Sequence, residues 1–274
     1  MDNLYERIFS RNIGILTESE QDKLRDSTIA IAGAGGVGGL LAERLVRCGV
    51  GHLKIIDPEA FEETNLNRQF SSSMVNLGKN KAEAVFMQIK DINPEANIYY
   101  NKSGIKTESD AHLLVHDCDL VVDEMDFGLF KESILLQRVA RQRGVYYIFT
   151  SAIGFGALIA IFDPEGWTLE EYNNLPRDID LNDVDQPTVP LERICPVIPS
   201  YFTGDIMQEM ADVMQEIVSG ERPGPVISIG AGLASMLAAS EAVNIIIRRR
   251  DIATAPKYTY IDLLDRTFIV GTMS

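Results

Sequence analysis

Over the first 150 residues, apolar positions alternate between two patterns. Largely apolar runs at 29–32, 53–56, 98–100, 120–122 and 145–150 have the length of buried strands. Between them, apolar residues recur every three or four positions at 37–48, 79–92, 108–115 and 129–143, the spacing of helices with one buried face. Strand and helix in alternation predict a parallel, open sheet with helices packed on it. The run at 157–162 follows its predecessor after only Ser151-Ala152-Ile153-Gly154-Phe155-Gly156, too short for a crossover helix, so it predicts an antiparallel strand. Residues 163–203 show little periodicity and hold prolines at 164, 176, 187, 190, 196 and 199, which marks a crossover loop or lid. Helices at 205–218 and 228–249 and a hairpin of strands at 258–263 and 267–270 close the chain. At the front, a polar arm leads to Thr17-Glu18-Ser19-Glu20, a capping box that starts a helix at 18–24. The expected fold is α/β: a Rossmann-like open sheet with a parallel core and antiparallel strands added on the C-terminal side. It forms a single domain over 1–274, with 1–27 as N-terminal arm and helix.

Composition narrows the classes of function. The formal net charge of −15 opposes general nucleic-acid binding, which depends on neutralising phosphates. The basic run Arg248-Arg249-Arg250 is expected to end the long helix and to complement its dipole. Cys48, Cys118 and Cys195 are widely separated and form no CxxC pair, so neither a disulfide framework nor structural zinc is expected. The start of the chain, charged and without an apolar segment, does not read as a signal peptide. The apolar stretch 226–247 carries Ser228, Ser235, Ser240, Glu241 and Asn244, so it reads as a buried helix and not as a membrane span. A cytoplasmic protein is the expectation.

The chemistry gathers around residues 28–57. The first strand breaks into Gly33-Ala34-Gly35-Gly36-Val37-Gly38, a helix follows, and the second strand ends on Asp57. Gly33 permits the tight turn, Gly35 lets backbone approach a phosphate, and Gly38 lets helix and strand pack closely. The helix start offers N–H groups to an anion, and Asp57 is placed to accept a ribose hydroxyl. The loop beyond it carries Asn65-Leu66-Asn67-Arg68-Gln69. An arginine fork beside side-chain amides suits polyphosphate better than hydride transfer. Lys81, in the first turn of the next helix, offers a point charge for a phosphate, and Asp123-Glu124-Met125-Asp126, at a strand end, carries the hard oxygens that magnesium requires.

These motifs, with Tyr5-Glu6-Arg7, Gly78-Lys79-Asn80-Lys81 and the late segment from Gly224 to Glu241, resemble the ThiF/MoeB/HesA superfamily, the ubiquitin-activating-enzyme-like adenylyltransferases. The resemblance implies ATP and Mg2+ as cofactors and adenylation of the C-terminal carboxylate of a ubiquitin-like protein or peptide. It implies that Gly33, Gly35, Gly36, Gly38 and Asp57 bind the nucleotide, with Asn65 and Gln69 shaping the pocket. Arg68 and Lys81 would hold phosphates and Asp126 the metal. Arg7 matches an arginine that family members contribute across a homodimer interface. A nucleic-acid or membrane partner is not implied.

Two departures stand out. Phe127 follows Asp126 where the family usually has asparagine, and the paired CxxC motifs that hold zinc in many members are missing. Cys195 lies where some members carry an acyl-accepting thiol, and Arg193 would lower its pKa. The glycine turn and acid also suit an NAD-dependent oxidoreductase, but no Tyr-x-x-x-Lys pair occurs. A catalytically silent nucleotide-binding partner subunit is the other alternative; it would not need Arg7, Arg68, Lys81 and Asp126 together.

Overall fold

The computed structural model describes residues 4–184, 197, 199–202, 212, 216 and 224–273. Eight strands form one sheet in the order β3-β2-β1-β4-β5-β6-β7-β8. β1 (Thr28–Ala32), β2 (His52–Ile56), β3 (Asn97–Asn101), β4 (Leu120–Asp123) and β5 (Tyr146–Ile153) run parallel. β6 (Gly156–Phe162), β7 (Lys257–Asp262) and β8 (Thr267–Thr272) are antiparallel additions. The order reverses between β1 and β4, which opens a crevice at the carboxyl ends of those strands.

Both faces are covered, which is why the central runs are apolar without alternation. Ile29, Ile31, Ile55 and Val122 face α3 (Gly38–Cys48), α4 (Lys81–Ile92) and α8 (Ser228–Ile247). Ala30, Ala32, Val121 and Tyr147 face α5 (Glu108–Val115), α6 (Phe130–Gln142) and α7 (Leu169–Tyr172). Although α8 is long and apolar enough to cross a membrane, it lies against the sheet with Ala234, Ala238 and Ala242 fully buried one turn apart. At its start Gly230 packs on the backbone of Gly154, an approach that a side chain would block.

The arm forms α1 (Leu4–Phe9) and then α2 (Glu18–Asp26), whose capping box is complete: Thr17 Oγ1 accepts from Glu20 N, and Glu20 Oε2 accepts from Thr17 N. Three expectations are corrected. β5 continues to Ile153 because the tight turn at Gly154, with φ at +56°, lets it pair with β6 to the end. The crossover stretch is not wholly irregular, since a capping box of Thr168 and Glu171 starts α7. The three arginines do not occupy a last helical turn, since α8 stops at Ile247 and Arg248 turns left-handed at φ 58°. Arg248 stacks on Tyr146, while Arg249 and Arg250 pair with Glu20 and Glu241. The helix expected at 205–218 lies largely outside the described residues.

Candidate nucleotide-binding site

The glycine turn joins β1 to α3 at the crevice. Gly33 takes φ at +97°, and a side chain there would overlap the carbonyl oxygen of Glu124; one at Gly38 would overlap the carbonyl oxygen of Gly33. These two positions are closed by backbone. Gly35 and Gly36 are bounded only by side chains: Gln69 Nε2 lies 3.7 Å from a Cβ built on Gly35, and the Arg68 chain lies 3.4–3.5 Å from one on Gly36. No side chain caps the start of α3, which opens directly from the glycine turn.

Asp57 is buried at the tip of β2. Its Oδ2 accepts Ala34 N–H at 2.7 Å and its Oδ1 accepts Glu59 N–H at 2.8 Å. Burial raises its pKa against these two N–H donors and nearby Lys81, which act to lower it. The loop after Asp57 returns to its origin, and a backbone bridge between Ala60 and Asn80 closes it. Asn80 caps α4 by accepting from Glu83 N and also donates Nδ2 to the carbonyl of Asp57 at 2.8 Å. Lys81 is thereby carried back into the corner beside Asp57, buried and paired with Glu59.

Arg68 is half-buried across Gly36. Its Nη1 donates to Thr64 O at 3.1 Å and to Asn67 Oδ1 at 2.9 Å, and no carboxylate pairs with it among the described residues. Asn65 shapes the loop: its Oδ1 accepts Glu62 N–H, and its carbonyl accepts from Arg68 N and Gln69 N. Gln69 Oε1 and Ser71 Oγ are buried without a hydrogen-bond partner among the described residues. A guanidinium with no carboxylate partner among the described residues, beside glycines that admit backbone approach, fits a phosphate-bearing ligand.

The acidic run after β4 divides by role. Asp123 does not face the crevice, contrary to the sequence reading; its Oδ1 accepts Met125 N–H at 2.9 Å and its Oδ2 accepts from buried Tyr147. Glu124 accepts from Thr150, and burial pushes its carboxyl well above the usual carboxylate range. Asp126 alone is exposed, one residue beyond the backbone that touches Gly33. Among the described residues no group of three His, Cys, Asp or Glu could hold a metal. A single carboxylate suits magnesium that keeps its waters and is bound largely by phosphate oxygens.

The structure therefore brings Gly33, Gly35, Gly36, Gly38, Asp57, Arg68, Gln69 and Lys81 together, with Asp126 at the rim. Arg7 stands apart. Tyr5 donates its hydroxyl to Gly49 O at 2.7 Å, fixing the arm at the far end of α3, about 16 Å along the helix from the glycine turn. Cys195 lies outside the described residues. Glu59 was absent from the sequence-derived set, although an acid two residues past Asp57 was a visible signal.

A family model, that of the ThiF family, matches residues 9–273. A tRNA threonylcarbamoyladenosine dehydratase of Bacillus subtilis is 32% identical over 133 residues, which is 48% of this chain and 52% of the relative. Ubiquitin-like modifier-activating enzyme 5 of Culex quinquefasciatus is 38% identical over 106 residues, 38% of this chain and 26% of that protein. The chain thus spans about half the length of the first of these relatives. Among solved structures, E. coli MccB with ATP superposes with a TM-score of 0.72 at 19% identity, over 100% of this chain and 72% of that one, a likeness of fold.

Proposed function

The chain belongs to the ThiF family of ATP-using adenylyltransferases, and from that premise we propose that it activates the C-terminal carboxylate of a ubiquitin-like protein or peptide as an acyl-adenylate. A carboxylate oxygen attacks the α-phosphorus of ATP, the bond to the bridging oxygen breaks, and diphosphate leaves. Little covalent chemistry is asked of the protein, which aligns the two anions and offsets the charge that builds on the phosphoryl oxygens. Asp57 would accept the ribose hydroxyls, Gly35 and Gly36 would admit the phosphates, and Arg68 and Lys81 would bind them. Magnesium, held through Asp126, would neutralise the departing diphosphate.

The observation that carries this reading is Arg68, a guanidinium with no carboxylate partner among the described residues, laid along Gly36 in the corner that also holds Asp57 and Lys81. Arg7 would complete the site of a second copy in a homodimer, since its own glycine turn lies a helix length away. ATP–diphosphate exchange tests the proposal. Exchange should need magnesium and an added peptide or ubiquitin-like protein with a free C-terminus, and should be lost in Arg68→Ala. Exchange absent with every carboxylate tried would contradict it.

A second reading follows from the dehydratase relative, whose named substrate carries a threonyl carboxylate on tRNA. The same adenylation chemistry would serve it. The net charge of −15 opposes tRNA docking, so exchange stimulated by tRNA but not by peptides is the outcome that would select it.

A further inference from the structure

Lys81 is already paired in the free protein. Its ammonium lies 2.5 Å from Glu59 Oε2, with the lysine side chain 7% exposed and the glutamate side chain 56% exposed. The Glu59 backbone is fixed in the same corner. Its N–H donates to Asp57 Oδ1 at 2.8 Å, and its carbonyl accepts from Lys81 N at 2.9 Å and Asn80 Nδ2 at 3.0 Å. Only the carboxylate is left free to move. A buried ammonium deprived of an anion is strongly disfavoured, and Glu59 supplies that anion. A phosphate over the glycine turn would offer Lys81 a second anion, and two anions on one ammonium repel each other. The mostly exposed Glu59 carboxylate can rotate into water without disturbing its backbone bonds.

We infer that Glu59 is a stand-in for phosphate: it holds Lys81 in place while the site is empty and is displaced from the ammonium when a phosphate-bearing nucleotide binds. The inference rests on the triphosphate reading of the site given above. It makes Glu59 a positioning residue that competes with the ligand, so that removing its charge strengthens binding. A residue needed only for the shape of the corner would act in the opposite direction.

Calorimetric titration of magnesium ATP and of adenosine into the wild type, Glu59→Gln and Glu59→Ala tests this, alongside both ligands with Lys81→Ala and the Glu59→Gln/Lys81→Ala pair. Both Glu59 variants should bind ATP about fivefold tighter, the effect of one partly exposed ion pair, with adenosine affinity unchanged. The gain should vanish in the Lys81→Ala background. ATP bound equally or more weakly by the Glu59 variants, an equal gain for adenosine, or a gain that survives Lys81→Ala would overturn the inference and leave the nucleotide reading standing. ATP bound by none of the proteins would overturn both.

Discussion

Asp57 Oδ2 accepts the N–H of Ala34 at 2.7 Å, so the tip of β2 and the glycine turn are held as one unit. The other oxygen takes Glu59 N–H, which extends that unit to the start of the returning loop. One carboxylate thus joins two stretches that meet only in the folded chain, the glycine turn and the strand tip with its outgoing loop.

Replacing that carboxylate should therefore loosen fold and site together. Asp57→Asn leaves at least one buried N–H facing an amide donor and is expected to lower stability by about 1–3 kcal/mol. Denaturant unfolding measures this directly. A variant as stable as the wild type would show that the two hydrogen bonds do not organise the turn.

The glycines separate structural from ligand-facing positions. Gly38→Ala places a methyl group against the Gly33 carbonyl and should unfold or sharply destabilise the protein. Gly35→Ala meets only Gln69 Nε2, at ordinary contact distance, and should fold with an unchanged melting temperature. On the proposed reading it would still lose ATP, because its methyl group occupies the path by which a phosphate reaches the backbone. Calorimetry on the folded variant decides this.

Glu124 gives the protein a pH dependence of predictable sign. Burial raises its folded pKa well above the ordinary carboxylate value, so the folded state holds its proton more tightly than the unfolded state. Stability from this group is complete below the ordinary carboxylate range and is lost as pH rises through the folded pKa. Glu124→Gln keeps an acceptor for Thr150 and removes the charge. It should melt close to the wild type in acid and increasingly above it as pH rises. Parallel melting curves across that range would refute the assignment.

Two of the three thiols should be unreactive in the native state. Burial pushes Cys118 up to about 11 and also raises Cys48. Alkylation at pH 8 should leave both unmodified until the protein unfolds. Mass spectrometry of digested, labelled protein reads each site, and the same experiment reports on Cys195.

Much of this architecture was legible in the chain because its signals are local. The continuous apolar runs at 29–32 and 120–122 announced strands buried on both faces, and the short link at Gly154 announced the antiparallel turn to β6. The glycine turn and Asp57 were legible because their residue types and spacing fall within one strand-turn-helix-strand stretch. The short α7 was legible but missed, since its Thr168-to-Glu171 capping box was present and no apolar period drew attention to it.

What escaped depends on distant partners. The ion pairs of Arg249 with Glu20 and Arg250 with Glu241 carry these arginines past the helix end, and no sequence period encodes them. Asp123 looked equivalent to Asp126 until Tyr147, on the neighbouring strand, was seen to claim its carboxylate. Glu59 gained its role only because the loop closes through Ala60 and Asn80 and returns Lys81 to it.

The most direct test of the central claim is a crystal structure with a non-hydrolysable ATP analogue and magnesium. The account predicts ribose hydroxyls within hydrogen-bonding distance of Asp57, phosphates against Gly35 and Gly36, and Arg68 and Lys81 on phosphate oxygens. Nucleotide bound away from the glycine turn, or phosphates that touch neither cation, would contradict it.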